Sequence, residues 1–73
     1  MVTVEHNYRV IKVYINDLLH ITIYRKRLSG MQAWVDKGFR YVIEFTLSDG
    51  SLKIEYDNKE LWEEVLTKID PYL

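Results

Sequence analysis

The stretch FRYVIEFTLSDGSLKIEY, residues 39–56, carries the pattern that decides the fold. Phe39, Tyr41, Ile43, Phe45 and Leu47 recur at every second position, the period of a strand with one buried face. Ser48-Asp49-Gly50-Ser51 follows and contains Asp-Gly, a hairpin signal. Leu52, Ile54 and Tyr56 then resume the apolar face. Loops of two or four residues give one register, with Phe45 opposite Ile54 and Glu44 opposite Glu55.

Beyond Tyr56 the period changes. Asp57 or Asn58 can open a helix, and Asp57 with Glu60 has capping-box spacing. At about 100° per residue, Leu61, Trp62, Val65, Leu66, Ile69 and Leu73 fall within one stripe. Glu60, Glu63, Glu64, Thr67, Lys68 and Asp70 lie opposite, and Pro71 ends the helix. Trp62 sits in the middle of the stripe and reads as core.

Towards the N-terminus, residues 8–15 alternate, with Arg9, Ile11, Val13 and Ile15 opposite Tyr8, Val10, Lys12 and Tyr14. Asn16-Asp17 is a turn signal, and residues 19–27 alternate again. A two-residue loop would pair Val13 with His20 and mix the faces. A three-residue loop pairs Ile15 with Leu19 and Val13 with Ile21, and is expected for that reason. Ser29–Gly38 reads as a short helix: Ser29 and Gln32 have capping-box spacing, Met31, Trp34 and Val35 cluster at helical spacing, and Gly38 can end it. A structured loop is the alternative there. The predicted class is α+β: one four-stranded antiparallel sheet, ββ-(short α)-ββ-α, with the C-terminal helix packed on one face.

At 73 residues the chain is expected to be a single domain, 1–73. A chain this short buries only roughly 60% of the surface its unfolded form exposes. It has no Cys for a disulfide or thiolate metal site. His6 and His20 alone do not make a zinc motif, so no metal and no cofactor are expected. Good packing or self-association must supply stability instead. No secretory signal or bilayer-length apolar run is visible, so a cytoplasmic location without membrane contact is expected. The formal charge of −1 conceals an asymmetry. Residues 1–40 hold seven Lys/Arg against three acids, and residues 41–73 hold three Lys against eight acids. Opposite halves suit a polyanion-binding surface or a head-to-tail contact between copies, and the near-neutral total favours the second.

The unusual feature is the face opposite the apolar one. It gathers Tyr8, Lys12, Tyr14, His20, Tyr24, Lys26 and Arg40, with Val10 and Val42. Tyr is enriched at protein interfaces, so this is the candidate binding face, with a second copy or another protein as partner. Single-stranded nucleic acid is the second reading, since bases stack on aromatic rings along a cationic sheet. A pI near 6.1 weighs against it. Arg25-Lys26-Arg27 could contact phosphate or anionic lipid, or simply guard a strand edge. Glu44 opposite Glu55 is a candidate carboxylate pair, with His20 as a potential companion; its plain alternative is two solvated glutamates neutralised by Lys53. Trp34 either closes one end of the core or leads an exposed patch. No nucleophile, phosphate loop or catalytic motif accompanies any of these residues, and a non-enzymatic interaction module is expected.

Tyr41-Val42-Ile43-Glu44-Phe45 through Trp62 is similar to the closing hairpin and Trp-bearing helix of pleckstrin-homology-like domains. The similarity covers under half of the chain, which is too short for the full sandwich of that fold. No lipid-binding function is carried over from it.

Overall fold

The computed structural model describes all 73 residues. Six strands precede the helix: β1 Val2–His6, β2 Val10–Ile15, β3 Leu18–Tyr24, β4 Leu28–Val35, β5 Tyr41–Leu47 and β6 Gly50–Tyr56. Helix α1 spans Lys59–Ile69, and a 3₁₀ turn follows at Asp70–Tyr72. The strands form two antiparallel meanders, β1-β2-β3 and β4-β5-β6. The expected single four-stranded sheet is therefore wrong. The class remains α+β, and no helix is long and apolar enough to cross a membrane.

Two strands account for the difference. Val2–His6 had no expected element, yet it pairs with β2 from Val2↔Ile15 to His6↔Ile11. Residues 28–35, which overlap the helix expected at Ser29–Gly38, pair instead with β5 from Leu28↔Leu47 to Val35↔Tyr41. Met31, Trp34 and Val35 fit helical spacing, but period two fits as well: Met31, Ala33 and Val35 share one face, and Gln32 and Trp34 share the other. As a strand, the segment hydrogen-bonds the otherwise bare edge of β5, satisfying buried backbone groups that an isolated short helix would leave unpaired.

Turn chemistry fixes both registers. Asn16 and Asp17 have φ of 49° and 68°, the paired left-handed conformation of a two-residue hairpin loop. The loop pairs Ile15↔Leu18 and Tyr14↔Leu19, contrary to the expected three-residue loop. The faces still match because the register shifts between Val13 and Tyr14, leaving His20 as the extra residue of a β-bulge and restoring Val13↔Ile21. In the second meander, Ser48-Asp49 forms the loop and Leu47 pairs with Gly50, whose φ of 151° suits glycine alone. Phe45 thus faces Leu52, and Glu44 faces Lys53, not Glu55. The slip of two residues keeps every side chain on its expected face while changing its partner.

The core lies between the two sheets and under the helix. Ile11, Val13, Ile21 and Ile23 of the first sheet meet Ile43, Phe45 and Tyr56 of the second, with Val65 and Ile69 of α1. Each such aliphatic or aromatic side chain contributes roughly 1.5–3 kcal/mol on full burial. The helix starts at Asn58, whose Oδ1 accepts from the amides of Glu60 (2.8 Å) and Leu61 (3.1 Å), a cap worth about 1 kcal/mol.

One backbone position is strained. Phe39 has φ of 60° in the β4–β5 loop, and its ring is 81% exposed. It was expected in the apolar row of β5, but it lies outside the strand. Asp36 Oδ1 accepts from the amides of both Gly38 and Arg40 at 2.9 Å, which locks the loop. The left-handed conformation costs an L-residue with a Cβ about 1–2 kcal/mol. Phe39→Gly should therefore raise stability by about 0.5–1 kcal/mol in urea melts, after the extra chain entropy of glycine.

Candidate interaction surface

The expected binding face divides over both sheets. The outer face of the first sheet carries cross-strand rows: Thr3, Tyr14 and Leu19; Glu5, Lys12 and Thr22; then Val10 and Tyr24. Lys12 stands opposite Glu5, and the Tyr14 hydroxyl lies 3.4 Å from the Glu5 carboxylate. The middle of the face is thus internally balanced. Arg40 lies in the β4–β5 loop at the edge of the other sheet, where its guanidinium donates to Glu55 at 2.9 Å. Val42 is buried on that outer face, in register between Trp34 and Glu55.

Tyr8, Tyr24 and Lys26 do come together, at one end of the first sheet. With Arg9 they line a concavity of about 450 Å³. Tyr8 is 81% exposed and Tyr24 is 57% exposed. Local chemistry presents them. Asn7 Oδ1 accepts from the amides of Arg9 (2.7 Å) and Val10 (3.0 Å), folding the β1–β2 loop so that Tyr8 projects from it. Arg25 fastens this end: its Nε donates to the Asn7 carbonyl (2.7 Å) and its guanidinium donates to the Tyr72 carbonyl (2.8 Å). The Arg9 guanidinium lies 5.3 Å from the Tyr8 ring centroid, and that of Arg27 lies 6.0 Å from the Tyr24 ring. Arg27 also meets Asp49 at 3.5 Å.

Sequence reasoning missed Arg9 by assigning it to the apolar row of β2. The Asn7-Tyr8-Arg9 run of turn-forming and polar residues was the signal that the strand starts later. Arg25, read only as part of a basic run, is a structural tie.

His20 leaves the expected face. The bulge lets its Nε2 reach the Tyr56 hydroxyl at 2.7 Å, joining the two sheets. Partial burial pushes His20 below its usual pKa, and burial pushes Tyr56 up to about 12. The folded state then binds fewer protons than the unfolded chain near pH 6.5. Stability should fall as pH drops through about 6.5 and level off below the folded pKa of His20. At alkaline pH Tyr56 keeps its proton when folded, so stability should also decline from about pH 10 to about pH 12. Thermal melts of wild type and His20→Gln over pH 5–8 check the acid limb, which the substitution should flatten.

Glu44, Glu55 and His20 do not converge: they face Lys53, Arg40 and Tyr56 respectively. They share no concavity. The carboxylate pair expected from the register does not form.

No family model, curated protein or solved structure matches the chain. The functional reading therefore rests on the geometry of the site.

Proposed function

We propose that this protein is a non-enzymatic interaction module that self-associates through the tyrosine-and-cation end of its first sheet. The observation that supports this reading most is the concavity between Tyr8 and Tyr24, lined also by Arg9 and Lys26. Rigid, exposed tyrosines with flanking arginines are the side chains that dominate contact energies at protein interfaces. A small chain without disulfides also gains stability from a partner subunit.

Sedimentation of the wild type should show association that rises with concentration. Tyr8→Glu and Tyr24→Glu should each weaken it at least about tenfold, as expected for loss of a contact worth more than about 1.4 kcal/mol. Unchanged association in both variants would contradict the proposal.

The paired cations and rings also suit a second reading, single-stranded nucleic acid, with bases stacked on Tyr8 and Tyr24. A labelled oligonucleotide at low salt tests it. Binding should fall steeply with added salt and on Tyr24→Ala and Lys26→Ala. No binding at low salt removes this reading.

A further inference from the structure

Eight of the nine exposed large apolar side chains of this molecule lie towards its two ends, Leu52 on β6 being the ninth. Two sets of bonds define those ends. At one, Arg25 ties Asn7 to Tyr72, and the Ser48 amide donates to the Arg27 carbonyl at 2.8 Å. At the other, His20 bonds Tyr56, which pairs with Tyr41 and, through it, stands in register with Val35. The Asn16 amide donates to the Met1 carbonyl there, and the Val2 amide donates to Glu64. Tyr8, Tyr24 and Leu73 are exposed at the first end, and Met1, Leu18, Leu19, Val35 and Phe39 at the second.

The ends differ in charge. The first carries Arg9, Arg25, Lys26 and Arg27 against Asp49 and Asp70. At the second, Asp17, Asp57, Glu60 and Glu63 outnumber Lys59, while Asp36 and Glu55 are offset by Lys37 and Arg40. Each end is an apolar patch with a charged rim, and the rims are of opposite sign. The strained Phe39 belongs to the acidic end, where the residue is 81% exposed and its backbone is held by the Asp36 loop while its side chain faces outward. Strain of this kind concentrates at binding sites.

We infer that copies of this chain join head to tail, the Leu18–Phe39 end of one seating on the Tyr8–Tyr24 end of the next. This inference rests on the self-association reading and specifies its two surfaces. Like ends repel, which disfavours a two-fold dimer through either patch. Unlike ends attract, and a contact between two different patches leaves one of each free, so assembly proceeds to chains or rings. Small end-to-end contacts of this kind stand at the low end of specific interfaces, roughly 1,000 Å² in total, the class of weak and reversible encounters.

The test mixes two end-blocked variants at low salt. Tyr8→Glu with Lys26→Glu blocks the basic end; Leu18→Lys with Phe39→Lys blocks the acidic end. Circular dichroism establishes that each is folded; if a double variant does not fold, Lys26→Glu and Phe39→Lys alone take its place. Each variant by itself should sediment as a monomer of 8.8 kDa. Their equimolar mixture should give a 1:1 heterodimer that grows no further. Wild-type assembly should weaken about tenfold or more from 50 to 500 mM salt. If the wild type associates while the mixture stays monomeric, or if either blocked variant assembles as the wild type does, the head-to-tail contact is wrong and self-association stands. A wild type that is monomeric at 1 mM overturns both.

Discussion

Phe45→Ala should cost this domain about 3–5 kcal/mol of stability. Phe45 is fully buried on the central strand of the second sheet, opposite Met31 on one side and Leu52 on the other. Truncating a buried Phe costs about 3–5 kcal/mol, because transfer energy is lost and the cavity closes only partly. Total stability runs at about 0.05–0.15 kcal/mol per residue, so a chain this short has on the order of 4–11 kcal/mol in all. A urea melt of Phe45→Ala should show a midpoint lowered by about 30% or more relative to wild type, down to a chain already unfolded at the low end of that range. A loss below about 1 kcal/mol would contradict the placement of Phe45 between the two sheets.

Trp62→Ala should be nearly as damaging, for a different reason. The indole Nε1 donates to the Val42 carbonyl at 3.0 Å, and the ring tilts against Tyr41 at 5.3 Å between centroids. This one side chain fastens the helix to the strand that anchors the second sheet. Alanine loses the packing and leaves the carbonyl without that donor, at a cost of about 3–5 kcal/mol. Trp62→Phe keeps most of the ring and loses the hydrogen bond, so it should cost about 1–2 kcal/mol. Circular dichroism melts of both variants measure the difference. No loss in Trp62→Phe would show that the indole bond contributes nothing, and equal losses in the two variants would show that the ring packing contributes nothing.

These two residues belong to the part of the fold that the sequence displayed most openly. The alternation from Tyr41 to Leu47 and the stripe through Leu61, Trp62, Val65 and Ile69 each have a single consistent period. Val65 and Ile69 are indeed the fully buried residues of α1. The rest was obscured for physical reasons. β1 offers only Val2 and Val4 as apolar alternation, too little to separate a strand from a loop. β4 fits two periods at once, and only the need of β5 for a hydrogen-bonding neighbour decides between them. Counting both strands turns one sheet into two, which then cover each other.

The candidate binding face was legible as a set of residue types but not as a surface. Tyr8, Tyr24 and Lys26 meet because a short Asn7-led loop and a tight β3–β4 turn lie side by side, a tertiary fact. Arg40 fell at the edge of the other sheet because the expected single sheet did not exist. His20 was diverted by a bulge that reconciles a two-residue turn with a continuous apolar face; alternation alone cannot show such an insertion. The charge asymmetry between the two halves of the sequence does not map directly onto the fold, since Lys37 and Arg40 lie beside Asp36 and Glu55, and Asp49 lies beside Arg27.

The proposal that carries the rest is that copies of this chain associate with one another. Sedimentation equilibrium of the unmodified protein from about 10 μM to 1 mM at low salt tests it most directly, the range set by the weak end-to-end contact. The account predicts an average mass that climbs steadily above 8.8 kDa as concentration rises. A mass that stays at the monomer value over the whole range would contradict it.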